Sequence, residues 1–132
     1  MDNDVEIFKA CADKTRLRIL ILLGEGQLCV CEIVDVLGMP QGKVSRHLAV
    51  LRRAGLVDDE RRGTWIHYSL SRSKAPFMRR LRTYVKGEAR DIEQATTDLQ
   101  QLQELCDCGE ICLDAQTVAP RRAERIAAVG AG

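Results

Sequence analysis

The stretch from Gly38 to Leu70 constrains the fold more than any other part of the chain. Val44, Leu48 and Leu51 recur at i, i+4 and i+7, which predicts a helix over 41–54 with one buried stripe. The opposite face carries Gln41, Lys43, Ser45, Arg46, Ala49, Arg52 and Arg53. Gly38-Met39-Pro40 ahead of it is a turn signal, and Gly55 suits the position just past a helix C-terminus. Residues 56–60 and 64–70 then flank Arg61-Arg62-Gly63. The second arm is rich in β-forming residues, so the pair predicts a hairpin with both arginines at its tip. A stripe of three apolar residues does not hold a helix by itself, so other elements must cover it.

The rest of the sequence supplies those elements. Val5, Ile7, Phe8, Cys11 and Ala12 fall near helical spacing and predict a first helix over 4–12. Asp13 or Thr15 can cap a second helix over 15–24; its run Ile19-Leu20-Ile21-Leu22-Leu23 is apolar all round and belongs at the centre of a core. Leu28 to Leu37 reads as a short third helix with Ile33, Val34 and Leu37 on one face. Beyond Ala75, the positions of Phe77, Leu81, Tyr84 and Val85 are helical again, with an interruption at Gly87. Ile92, Ala95, Leu99, Leu102 and Cys106 then alternate steps of three and four, the seam of a helix that packs on another helix. The expected fold is mainly α with a β-hairpin wing: one domain over 1–114 and a loose tail over 115–132.

Hydrophobic residues make up 45% of the 132 and charged residues 30%, the balance of a soluble globular domain. The Ile19–Leu23 run is the longest uninterrupted apolar stretch, far short of a membrane span, and Met1-Asp2-Asn3-Asp4 is acidic where an export signal would be basic. A cytoplasmic protein with no membrane partner is expected. The net charge of +1 hides a strong segregation. Residues 41–75 hold eight basic side chains against three acidic, residues 76–87 four basic and no acidic, and residues 88–114 one basic against eight acidic. A basic middle on a near-neutral chain points to a local polyanion-binding surface.

Helix, turn, basic helix and basic hairpin, in that order, make a winged helix–turn–helix. Small polar and basic groups near the start of the 41–54 helix suit the major groove of double-stranded DNA: Gln41, Lys43, Ser45, Arg46 and His47, with Arg52 further along. Arg61 and Arg62 on the hairpin can reach an adjacent minor groove or the phosphate backbone. Trp65 and Tyr68 suit hairpin packing better than base stacking, since only 4% of the chain is aromatic.

Three stretches, FKACADKTRLRILILL, QLCVCEIVDVLGMPQGKVSRHLAVLRRAGLV and RRGTWIHYSL, together resemble the ArsR/SmtB family of metal-sensing repressors, over roughly residues 5–70. The resemblance implies a homodimer with its first and last helices at the interface, and operator DNA released when an ion binds. Within it, Leu28-Cys29-Val30-Cys31 resembles the metal box of arsenite- and cadmium/lead-responsive members. The usual arsenite box has a third cysteine three residues on, where this chain has Val34.

Six cysteines therefore become candidate ligands: Cys11, Cys29, Cys31, Cys106, Cys108 and Cys112. Thiolates select soft ions. If Cys29 and Cys31 both lie on a helix, their side chains point about 200° apart, and gripping one ion requires the first turn to unwind. That unwinding would disturb the helix supporting the recognition helix. A third thiolate would come from Cys11 or from the tail of a partner chain, although Cys11 shares an apolar face with Phe8 and also suits the core. Cys106, Cys108 and Cys112 form a second candidate site, three thiols within seven residues, with Gly109 allowing a bend. As(III) or Sb(III) is the expected inducer, with cadmium, lead or zinc as alternatives favoured by the acids Glu104, Asp107, Glu110 and Asp114. Thiol-redox sensing is a competing function. A thiol enzyme is disfavoured: no C-x-x-C follows a strand, there is no Gly-rich phosphate loop, and no Cys–His pair is close in sequence.

Overall fold

The computed structural model describes residues 2–108. Six α-helices and three strands follow in the order α1 (Asp2–Cys11), α2 (Lys14–Leu23), β1 (Leu28–Cys29), α3 (Val30–Leu37), α4 (Gln41–Arg53), β2 (Val57–Arg62), β3 (Trp65–Leu70), α5 (Pro76–Lys86) and α6 (Glu93–Cys108), with a short 3-10 turn at Glu88–Asp91 before α6.

The core grows around α2. Asp13 is its N-cap: the backbone is extended there and the carboxylate accepts from Arg16 N at 3.1 Å. Ile19 to Leu23 are all buried, as an all-round apolar helix requires, and each contributes about 1.5–3 kcal/mol of burial. Val44, Leu48 and Leu51 of α4 close onto the same core and are fully buried. The predicted stripe is therefore real, and it fixes the rotation of α4 about its own axis.

The turn between α3 and α4 depends on Gly38. Its φ of +65° is left-handed, and its N–H donates to Val34 O at 2.8 Å, which ends α3 after Leu37. Pro40 follows as the N-cap of α4 and its carbonyl accepts from Val44 N. The hairpin turns at Gly63-Thr64, between the paired Arg62 and Trp65. Gly63 takes φ +62° while Thr64 keeps a negative φ, the pattern of a type II′ connection. Arg61 and Arg62 thus lie in β2 and not at the tip, because the two-residue turn starts two positions later than the expected Arg-Arg-Gly loop.

One further expectation is corrected. Leu28 and Cys29 do not open the third helix. They form β1, which pairs antiparallel with β3 and makes the sheet three-stranded in the order β1-β3-β2. Both are fully buried, and pairing with β3 gives their backbone partners that a fraying helix start would lack. The seam of α6 is used within the chain: Ala95 and Leu102 are buried and Leu99 half-buried, with α6 packed on α2 and α3. Ile92, one turn ahead, stays exposed. The expected tail over 115–132 lies outside the described residues. Among the described residues, no helix is long and apolar enough to cross a membrane.

Candidate nucleic-acid interface and thiol centre

With the stripe of α4 buried, Gln41, Lys43, Ser45 and Arg46 all emerge on the exposed side of its first half. His47 stands apart from them. It is half-buried, and its Nδ1 accepts from Arg16 Nη1 at 3.2 Å, since a guanidinium can only donate. The same Arg16 donates from Nε to Ala10 O at 2.7 Å and from Nη2 to Lys9 O at 3.2 Å. Arg16 therefore satisfies the last carbonyls of α1 and holds the flank of α4. It is a residue that sequence reading did not single out.

The remaining basic candidates differ in how free they are. Arg61 is exposed. Arg52 lies 3.9 Å from Asp59, an exposed pair worth little that still points the guanidinium toward β2. Arg62 Nη2 is 3.4 Å from Glu60 Oε2, and Gln27 Nε2 donates to the same oxygen at 3.3 Å. Those two contacts, Arg62 first, hold the Glu60 carboxyl below the usual range. Glu60 thus reins in Arg62, leaving Lys43, Arg46, Arg52, Arg53 and Arg61 as exposed cations of the α4–wing surface.

The thiols are arranged differently from expectation. Cys29 is the N-cap of α3, with extended backbone (φ −85°, ψ 162°), and Cys31 is the second helical residue. The i, i+2 divergence of a helix therefore does not apply. The two sulfurs meet in a disulfide, with Cα atoms 5.5 Å apart, and no unwinding of α3 is needed to bring them together. Cys29 is held from two sides. It pairs with His67 across β1 and β3, and its N–H donates to Glu32 Oε1 at 3.0 Å. Cys29, Glu32 and His67 are all buried. The Cys29-x-x-Glu32 spacing is that of a capping box with cysteine in the serine position, a signal present in the sequence. The pairing with His67 had no such signal, because a two-residue strand leaves no periodicity to read.

Cys11 ends α1, half-buried; burial pushes its thiol up, and Arg16 offsets part of that. Among the described residues, no group of three or more His, Cys, Asp or Glu side chains is placed to hold an ion. Cys11 thus does not complete a three-thiol set with Cys29 and Cys31 within one chain. Cys106 and Cys108 fall in the last turn of α6, but their side chains, and Cys112 entirely, lie outside the described residues.

A helical core carrying the α3–α4 helix–turn–helix and the β2–β3 wing defines a winged helix–turn–helix regulator. Residues 13–59 match the profile described as bacterial regulatory protein, arsR family. The chain is 52% identical over 68 residues to the arsenical resistance operon repressor of Escherichia coli, which covers 51% of this chain and 58% of that protein. It is 53% identical over 68 residues to an HTH-type transcriptional regulator of Methanocaldococcus jannaschii, covering 51% of this chain and 76% of the relative. A homodimeric winged helix-turn-helix DNA-binding domain from Mycobacterium bovis superposes with a TM-score of 0.58 at 32% identity, covering 68% of this chain and 81% of that one. The chain belongs to the ArsR family, a family of transcriptional regulators and not of enzymes. It spans 58% of the length of the Escherichia coli repressor.

Proposed function

We propose that this chain is a metalloid-responsive transcriptional repressor. It grips double-stranded operator DNA as a homodimer in its reduced, ion-free form and lets go when cysteine thiolates take As(III) or Sb(III). The observation that carries this reading is the convergence of Cys29 and Cys31 at the start of α3, the helix whose other end turns through Gly38 into α4. A change at the first turn of α3 has a short, packed route to the recognition helix. The Escherichia coli relative named as an arsenical resistance operon repressor supports the choice of ion.

On DNA, Gln41, Lys43, Ser45 and Arg46 face the major groove, and Arg61, with Arg62 and Arg52 behind it, meets the flanking backbone. His47 acts through Arg16 as much as on phosphate. A dimer places two such helices roughly 34 Å apart on an inverted repeat. The apolar side chains left exposed favour α1 and α5 as the dimer face: Phe8 is 63% exposed while its ring packs edge-on against Phe77, and Val5 and Tyr84 are exposed beside it. Cys29 and Cys31 supply two thiolates, and Cys106, Cys108 and Cys112 remain the candidates for any further ones. The coupling between ion and DNA must reach about 1–3 kcal/mol to act as a switch.

The disulfide between Cys29 and Cys31 favours a second reading, in which an oxidant closes the same pair and releases DNA. One titration separates them. The reduced chain is bound to its own promoter fragments, followed by fluorescence anisotropy, and challenged with arsenite or with peroxide. Release by arsenite under reductant supports the first reading; release by peroxide alone, reversed by reductant, supports the second. No binding of the reduced, ion-free chain to any fragment overturns both.

A further inference from the structure

We propose that Glu32 is the positioning residue of the Cys29–Cys31 pair: its carboxylate, by holding the Cys29 amide, keeps the two sulfurs converged and ready for one bidentate ligand. This rests on the reading of Cys29 and Cys31 as the inducer site. The geometry points to it in three ways. Glu32 is 2% exposed, so its carboxylate has been taken out of water and must be matched to a donor, and the Cys29 N–H at 3.0 Å is one. That N–H belongs to the residue whose extended backbone lets its sulfur turn toward Cys31. The neighbouring restraint, strand pairing with His67, fixes Cys29 on β1 but not relative to α3. The Glu32 carboxylate ties the Cys29 amide to the helix that carries Cys31, and the reciprocal half of the capping box, from the Glu32 amide to the Cys29 side chain, acts beside it.

The chemistry explains why this matters. A trivalent arsenical joining two thiols exchanges two As–O bonds for two As–S bonds. Each thiol proton leaves with one displaced arsenic-bound hydroxyl as water, and no electrons are transferred. The second bond forms at a high effective concentration only if the second sulfur is already in reach. Without the Glu32 contact the first turn of α3 frays, as uncapped helix starts do, and ordering it becomes a cost of binding.

The test uses the full chain with Cys11, Cys106, Cys108 and Cys112 replaced by Ser, reduced, and phenylarsine oxide as the probe. Binding is followed as loss of two titratable thiols, and the disulfide equilibrium of the same pair against glutathione is measured alongside. Glu32→Gln keeps an acceptor oxygen and is expected to stay within about threefold of the parent in both measurements. Glu32→Ala is expected to weaken the arsenical by about fivefold or more and to disfavour the disulfide similarly. An Ala variant equal to the parent overturns the proposal. So does equal weakening by Gln and Ala, which would mark a charge effect. If the Ala variant does not fold, the Cys29 amide decides: slow hydrogen exchange in the reduced parent, with Glu32→Gln near parental, supports the proposal, and free exchange overturns it. A parent that takes no phenylarsine oxide overturns the inducer-site reading instead, while the glutathione equilibrium still tests Glu32.

Discussion

Arg18 and Asp98, eighty residues apart in sequence, meet in a bidentate ion pair: Nε to Oδ2 at 2.9 Å and Nη2 to Oδ1 at 3.0 Å. Asp98 is buried, Gln94 also donates to it, and its hydrogen bond keeps the Arg18 guanidinium charged. A second pair, Arg90 with the buried Glu25, joins the turn before α6 to the segment after α2. Together they fasten α6 to α2. This fastening explains how an acidic segment, with six acids against one base over 88–108, packs on the core without repelling itself off.

The first prediction follows from that burial. Arg18→Ala leaves the buried Asp98 carboxylate without its charge partner, and such truncations cost about 3 kcal/mol. Urea denaturation of wild type, Asp98→Ala, Arg18→Ala and the double variant should show the double variant costing clearly less than the sum of the singles. Additive losses would mean the pair is not coupled.

Asp13 gives a pH-dependent prediction. Its partial burial alone would raise the carboxyl, but the Arg16 amide and guanidinium, with His47 nearby, lower it below the usual range. A lowered folded value means that the stabilisation is fully present above the unfolded carboxyl value near about 3.9 and is lost as pH falls through the folded one. Asp13→Ala should therefore cost about 1 kcal/mol at neutral pH, through the lost N-cap of α2. The gap to wild type should narrow only below about pH 4. A gap that is constant with pH would show that the charge of Asp13 contributes nothing.

Arg46 is exposed on the outer side of α4, so truncating it should not disturb the core. Arg46→Ala is expected to weaken operator binding by about 1–3 kcal/mol, and Arg61→Ala to flatten the salt dependence by about one unit of slope. Melting temperatures of both should match wild type. Unchanged binding isotherms for Arg46→Ala would move the recognition surface away from this face of α4.

Much of this architecture is legible in the residues, and the exceptions share a cause. The stripe of Val44, Leu48 and Leu51, the turn at Gly38 and the glycine of the hairpin act locally, and periodicity or a required φ reveals them. Three relationships were not legible. Cys29 leaves the helix because β3, some forty residues on, offers it a strand to pair with, and a two-residue strand has no pattern of its own. His47 is expected among the DNA-contacting groups of α4, yet Arg16 at the α1–α2 junction donates to its Nδ1. The α6 seam is readable as a packing surface, but the identity of its partner is not: the same spacing serves a second chain or, as here, α2 and α3 of its own.

The last prediction separates the two cysteine clusters. Cys29→Ser and Cys31→Ser each remove one of two converged sulfurs without touching the exposed face of α4, so operator affinity of the ion-free chain should stay within about twofold of wild type. Arsenite should then fail to release DNA, because a bidentate site reduced to one thiol loses its effective-concentration advantage. Triple replacement of Cys106, Cys108 and Cys112 is the counterpart. Anisotropy titrations of both sets with arsenite under reductant decide the matter. If release survives in Cys29→Ser and Cys31→Ser but vanishes in the triple variant, the sensing thiols are those of the C-terminal cluster, and the coupling route runs through α6 and its Arg18–Asp98 fastening instead of through the first turn of α3.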